Sequence, residues 1–289
     1  MFKLRNKDLC IFITGSSGLF GKSLQKYLTK KQIKFKTFNR NKKKEYNQKF
    51  FNNLFKKNQF THVINLAACT NVDFCEKNKK ICYEINVKFL EKICNAIKFN
   101  NSKIKLIHFS TDQMYFKYNK NNEKNRKIKN YYTLSKIKSE KIASSLESVI
   151  LRTNFFGKSY VKSRSSFSDW IFNSLKNKKK IYLADDILFS PISIDKLIKI
   201  VLKIINKNKK GIYNIGSHNG FSKYHFAYLL AKMTNLKLDY LIRVKKKNIN
   251  FKAKRNNDMR MKLNKFEKEF NIKLPILKKE LKYITKLYY

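Results

Sequence analysis

The stretch ITGSSGLFGKSL, Ile13 to Leu24, decides how this chain folds. It follows an apolar run that begins at Leu9, and it spaces Gly15, Gly18 and Gly21 as G-x-x-G-x-x-G ahead of a helical stretch reaching Lys30. Glycine lets a strand reverse sharply into a helix and lets the backbone come close to a diphosphate. The helix start then offers N–H groups and a partial positive charge to the anion. Three of only seven glycines fall in this window, which marks a dinucleotide turn rather than an ordinary strand-to-helix turn. Gly15, Ser17, Gly18, Leu19 and Gly21 are therefore the expected diphosphate-binding set.

Outward from the turn, short β-type runs alternate with helical stretches. Strands are expected at residues 9–14, 33–38, 60–66, 105–110 and 148–152, with helices at 21–30 and 85–98. That alternation argues for βαβ units, hence an α/β fold: a doubly wound, Rossmann-type parallel sheet with a smaller C-terminal substrate lobe. The division is drawn at residues 1–157 and 158–289, with a boundary that is not a clean cut in sequence. In the second part, helices are expected at 168–176, 194–205, 223–234 and 263–270, and strands at 181–183 and 211–215. The Lys- and Asn-rich stretch 116–130 lacks periodicity and reads as a surface loop.

An acidic residue at the end of the second strand would bind the ribose diol of NAD. Phe38, Asn39 and Arg40 stand there instead. No carboxylate repels a 2′-phosphate and Arg40 can pair with one, so NADP(H) is expected, with NAD(H) as the alternative.

The chemistry is read from NYYTLSKIKSEKI, Asn130 to Ile142. Tyr132 and Lys136 are four apart and share one helix face, whereas the fourth residue after Tyr131 is Ser135. A phenol titrates near 10 and is a poor proton donor at neutral pH unless a cation beside it lowers that value. Lys136 can supply the charge and hold the nicotinamide ribose. LIHFSTDQMYF, Leu106 to Phe116, ends a strand in Ser110, Thr111 and Asp112, where a hydroxyl can orient a carbonyl. Glycine turn, strand-end hydroxyl and Tyr-x-x-x-Lys, in that order, are what a carbonyl reductase on such a sheet requires.

With those motifs quoted, the chain resembles the extended short-chain dehydrogenase/reductase superfamily, and within it the dTDP-4-dehydrorhamnose reductase group, over nearly its whole length. VINLAACTNVDFCE (Val63 to Glu76) resembles the fourth-strand motif that passes the cofactor, which implies contacts from Ala67, Ala68 and Thr70. Asn86 falls at the position of a structural Asn. The match makes Thr111 the hydroxyl partner and Tyr132 and Lys136 the acid–base pair. It implies substrate contacts from Thr111 and Asp112, from Asn154 in ILRTNFFG, and from Arg255 in an Ala-x-Arg-Pro element whose proline is here Asn256. FSPISIDKL (Phe189 to Leu197) and GIYNIGSHNGFSKYHFA (Gly211 to Ala227) resemble substrate-lobe motifs. The implied activity is NADP(H)-dependent reduction of a 4-keto sugar nucleotide. Dehydratases of the superfamily carry Asp-Glu after the threonine; Gln113 follows Asp112 here and cannot take a proton, which disfavours dehydration.

Composition sets the remaining bounds. Lys and Arg number 66 against 19 Asp and Glu, a formal +47. Such a field attracts polyanions. The lysines, however, are spread along the whole chain beside abundant Asn and Ile, as a bias in codon usage would leave them, so a dedicated nucleic-acid surface is not expected. Alternatives stay open: a non-catalytic nucleotide- or RNA-binding protein on the same fold, or a sugar-nucleotide epimerase with tightly held NAD. Five cysteines without CxxC spacing read as reduced thiols of a cytoplasmic protein. His62, His108, His218 and His225 have no metal spacing, Asp185 and Asp186 read as a solvated loop, and Trp170 reads as packing. No apolar run approaches the ~18 residues that span a bilayer. The expected partner is a sugar nucleotide, with a homodimer left open.

Overall fold

The computed structural model describes residues 8–38, 46–100, 103–161 and 163–289. Asn39 and Arg40, on which the NADP(H) expectation rested, lie outside the described residues. The chain forms two compact units interleaved in sequence: residues 1–110, 130–151 and 201–212 make the first, and 111–129, 152–200 and 213–289 the second.

In the first unit, β1 (Cys10–Thr14) leads through the glycine turn into α1 (Leu19–Lys30), β2 (Lys34–Phe38), α2 (Gln48–Lys57) and β3 (His62–Asn65). Two short helices follow, α3 (Val72–Lys77) and α4 (Lys79–Tyr83). A π-helical turn (Glu84–Lys88) then runs into α5 (Phe89–Phe99), and β4 (Lys105–Thr111), α6 (Tyr131–Ala143) and β5 (Ser148–Thr153) complete the series. The sheet orders strand Gly211–Ile215, β5, β4, β3, β1, β2. β1 pairs in parallel with β2 on one side and β3 on the other, with Thr14 level with Asn65. The chain thus reverses its winding beside β1, and the crevice past the carboxyl ends of β1 and β3 is where such sheets bind ligands. β1, β3 and β4 are buried almost throughout, which is why they read as unbroken apolar runs.

Among the elements that differ from the sequence reading, two bear on the first unit's core and sheet. α2 was not expected, because its window is rich in Lys and Asn. Phe51 and Phe55, four apart, nevertheless anchor it in a core with Phe12, Phe38 and Phe60. Burying each ring is worth roughly 1.5–3 kcal/mol, and the Asn47 side chain caps the helix by accepting from Phe50 N. Strand Gly211–Ile215, expected in the smaller lobe, is instead the sixth strand of the sheet, beside β5.

The second unit packs Phe156, Ile171, Phe189, Phe226, Leu277 and Leu281 into its own core. Ser166 and Asp169 close a capping box on helix Phe167–Lys176. Trp170, read as packing, stacks on Phe167 at the surface of this unit and is 41% exposed. The 116–130 stretch is also more than a surface loop. Buried Asn121 accepts from Phe116 N and Lys117 N and donates to the carbonyls of Asp258 and Arg260. The Glu123 carbonyl accepts from Arg152, itself fully buried and bonded to the Tyr115 hydroxyl.

Gly15 has φ +66°, and a Cβ there would stand 2.6 Å from Ala67 N and Leu66 C. Gly15→Ala should therefore cost about 2 kcal/mol or more of unfolding free energy in urea titration. Lys30→Ala, on the exposed end of α1, should change it by less than about 0.5 kcal/mol.

Candidate active site

The glycine turn closes with Gly18 N donating to Gly15 O at 3.0 Å. Gly18 is the N-cap of α1 and brings no side-chain cap, and the first turn holds no acidic residue, so the positive end of the helix is left to an outside anion. The missing Cβ of Gly15 lets the backbone of Leu66 and Ala67 come into contact with the turn. Ser17 and Thr70 are exposed and Gly18, Leu19, Ala67 and Ala68 half-buried, all in reach of a ligand. Gly21 lies deeper: a Cβ there would meet Gly15 O at 2.5 Å, so it serves the turn by its size.

α6 starts at Asn130, whose Oδ1 accepts from Thr133 N and Oγ1, while Glu76 accepts from Tyr131 N. Tyr132 is 6% and Lys136 2% exposed. The Lys136 ammonium donates to the carbonyl of Phe109 in β4 at 2.7 Å. Burial pushes its pKa down to about 8, while the carboxylate of Glu140, one turn further along, works in the opposite direction. Glu140 is itself buried and accepts from Ser110 Oγ at 2.5 Å. The sequence reading missed it, although it continues the four-residue step from Tyr132 to Lys136.

A chain of hydrogen bonds joins the cofactor side of the sheet to this helix. Ala67 N donates to Thr14 Oγ1, which donates to Asn65 Oδ1 at 2.6 Å. Asn65 Nδ2 meets His108 Nδ1 at 2.9 Å, and His108 Nε2 meets Ser139 Oγ at 3.0 Å. Ser139 in turn donates to the Lys136 carbonyl. Because an amide N–H faces Nδ1, the His108 proton sits on Nε2, and burial with the nearby Lys136 charge holds the ring neutral, well below the usual imidazole value. His62, likewise buried, bonds the Ile205 carbonyl.

In the second unit Thr111 ends β4, with its hydroxyl accepting from Gln113 N. Asp112 is buried and accepts from Asn154 Nδ2 at 2.9 Å and from Gln113 Nε2. Burial raises the Asp112 carboxyl pKa, against the pull of the Asn154 amide and the charge of Lys223. Lys223 is the second residue that sequence reasoning missed. Its ammonium sits 3.4 Å from the Phe189 ring centre and 4.4 Å from that of Phe167, and burial pushes its pKa down to about 8. Asp112 raises that value and the charge of Arg255 lowers it further, so Asp112, Asn154, Lys223 and Arg255 share one electrostatic neighbourhood. Asn256, standing where the family has proline, donates to Gln113 O. Among the described residues no His, Cys, Asp or Glu cluster is arranged to hold a metal, and no helix is long and apolar enough to cross a membrane.

Residues 9–289 match the RmlD substrate binding domain family. The chain belongs to that family. A relative named dTDP-4-dehydrorhamnose reductase, from Aggregatibacter actinomycetemcomitans, is 27% identical over 180 residues, 57% of this chain and 58% of its own length. The matched part thus spans less than two thirds of that relative. In fold, this RmlD-family chain is similar to a dTDP-4-dehydrorhamnose reductase of Clostridium acetobutylicum, with a TM-score of 0.87, 23% identity and coverage of 97% and 99% of the two chains. It is equally similar to one from Bacillus anthracis solved in complex with NADP: TM-score 0.87, 22% identity, coverage 96% and 99%. Its architecture is accordingly the Rossmann-type parallel sheet with flanking helices.

The buried amine of this RmlD-family chain has a measurable signature. Below about pH 8 the fold holds Lys136 charged and dry. Between there and the ordinary lysine value near 10.4, the folded state gives up that proton while the unfolded chain keeps it. Stability from this group is therefore least at low pH and rises as pH climbs through that window, by on the order of 3 kcal/mol. Urea unfolding at pH 7 and pH 10 should show wild type gaining on Lys136→Met; parallel pH dependence would refute the assignment.

Proposed function

We propose that this chain is an NADP(H)-dependent reductase of a 4-keto sugar nucleotide, of the dTDP-4-dehydrorhamnose type. The observation that carries the reading is the buried Lys136 on α6, its ammonium on the Phe109 carbonyl one turn from Tyr132. A cation that shares a helix face with a tyrosine is the means by which a phenol becomes a usable acid near neutral pH. The relatives named as reductases of this kind, one of them solved with NADP, support the same substrate and cofactor classes.

The glycine turn fits a dinucleotide, since the space a Cβ would fill at Gly15 is what brings the Ala67 backbone to the turn. Gly15, Ser17, Gly18 and Leu19 hold the diphosphate, Gly21 closes the turn beneath it, and Ala67, Ala68 and Thr70 flank it. Arg40 and Asn39 are proposed for the 2′-phosphate. NADPH supplies the hydride when bound. Tyr132 gives its proton to the carbonyl oxygen as the alcohol forms, Thr111 donates a hydrogen bond to that oxygen, and Lys136 keeps the tyrosinate stable while holding the ribose. Asp112, Asn154 and Arg255 bind the sugar nucleotide, and the Lys223 ammonium adds a cation for its diphosphate or a sugar hydroxyl. Gln113 spends its amide on Asp112 and offers no base for dehydration.

Two measurements test this. NADPH oxidation with dTDP-4-dehydrorhamnose should be robust in wild type and fall by about 10²–10⁴ in kcat for Tyr132→Phe, with NADPH binding retained. A soluble Tyr132→Phe protein with full turnover would remove the mechanism. Lys223→Met should raise KM for the sugar nucleotide about tenfold while leaving KM for NADPH in place; the converse pattern would move Lys223 out of the substrate set.

A further inference from the structure

Three cysteines have no part in the chemistry proposed above, yet they meet behind it. Cys75 Sγ lies 3.4 Å from Cys69 Sγ and 3.4 Å from the Cys69 carbonyl oxygen, a donor to either, and packs in one cluster with Cys82. Cys75 and Cys82 are fully buried, while Cys69 is half-exposed in the loop after β3. Cys82 Sγ lies 3.4 Å from Ser135 Oγ, on α6 next to Lys136, and packs in one cluster with Cys75 and Tyr132. Asn86, on the π-helical turn, ties the group together: its Oδ1 accepts from Cys69 N, and its Nδ2 donates to Cys69 O, Cys82 Sγ and Ser135 Oγ. The thiols therefore sit between the loop carrying Ala67, Ala68 and Thr70 and the helix carrying Tyr132 and Lys136.

We propose that Cys69 and Cys75 form a hydroperoxide-sensitive dithiol, with Cys82 as its proton acceptor, whose closure to a disulfide weakens the dinucleotide site. The second half of this rests on the function proposed above. A disulfide needs its sulfurs at about 2.05 Å, so Cys69 and Cys75 must close by about 1.3 Å. Cys69 lies in irregular backbone and Cys75 in a helix of only six residues, so the loop yields, and it carries Ala67, Ala68 and Thr70 with it.

The steps balance. Cys69, whose thiol pKa burial pushes up against the pull of the hydrogen bond from Cys75, first gives its proton to solvent. The thiolate sulfur attacks a hydroperoxide oxygen; the S–O bond forms, the O–O bond breaks, and the departing oxygen takes a proton back from solvent, giving a sulfenic acid and water or an alcohol. The Cys75 sulfur, its proton passing to Cys82, then attacks Cys69; the S–S bond forms, the S–O bond breaks, and the hydroxide leaves as water with that proton. Two thiols lose two electrons and two protons, and the hydroperoxide is reduced by the same count. The hydrogen bonds from Cys75 and Asn86, together with the Lys136 charge, favour thiolate character at Cys82, while Cys75 is held protonated beside it.

The full-length reduced protein is treated with hydrogen peroxide, its remaining thiols are blocked, and the disulfides are mapped by peptide mass spectrometry. NADPH affinity is read in parallel by fluorescence. The expected result is an intramolecular Cys69–Cys75 bond, an NADPH Kd raised about tenfold, and return of both to the starting state with dithiothreitol. Cys75→Ser should bind NADPH as wild type does and ignore peroxide. A different pair, sulfonic acid at Cys69 in place of a bond, or a Cys69–Cys75 bond with unchanged Kd would overturn the proposal. If the reduced protein binds no NADPH, the functional reading fails and the coupling with it, while the peptide map alone still decides the dithiol.

Discussion

The ammonium of Lys136, taken out of water and set on the carbonyl of Phe109, is the interaction on which the first unit's polar interior depends. A buried charge persists only where its donors find acceptors and an opposite charge lies in reach. Phe109 provides the first and Glu140 the second. Glu140 must then be satisfied, which Ser110 does. The Lys136 backbone carbonyl receives Ser139, whose own acceptor site is filled by a neutral His108, and the chain continues through Asn65 and Thr14 to the backbone of Ala67. The cation thus accounts for Glu140 and Ser110, while the Asn65 amide sets the tautomer of His108 and the Lys136 backbone carbonyl ties three strands to the helix.

Much of this was legible in the sequence for physical reasons. Parallel strands covered on both faces appear as apolar runs, so β1, β3 and β4 announce themselves. Glycine is the one residue that permits the Gly15–Ala67 approach, and in a glycine-poor chain its clustering stands out. The step from Tyr132 to Lys136 is local geometry. What stayed hidden depends on partners distant in the chain. Glycines and apolar periodicity do not reveal that Gly211–Ile215 lies beside β5, because register in a parallel sheet is set by crossovers rather than by the strand itself. Asn121 reads as one more polar loop residue until the Asp258 and Arg260 carbonyls arrive to meet it.

Charge was the least legible property. In a chain where lysine fills most solvated positions, nothing local distinguishes Lys223 from its neighbours; only the fold gathers Phe167, Phe189 and Asp112 around its ammonium. Glu140 is hidden in the same way, as an acidic residue on a helix that looks amphipathic in no simple sense.

Lys136 and Lys223 also separate two uses of positive charge. The formal +47 is carried mostly by surface amines, whose fields fade over about 8 Å at physiological salt. Those charges can draw an anionic ligand towards the chain, and salt will blunt them. Lys136 is buried and Lys223 half-buried, each with a carboxylate in its field, Glu140 for one and Asp112 for the other. Each also gives up its proton near pH 8 rather than above pH 10. In a chain with lysine in excess, two are thus set apart by their surroundings: Lys136 by a backbone carbonyl and a carboxylate, Lys223 by two aromatic rings and a carboxylate.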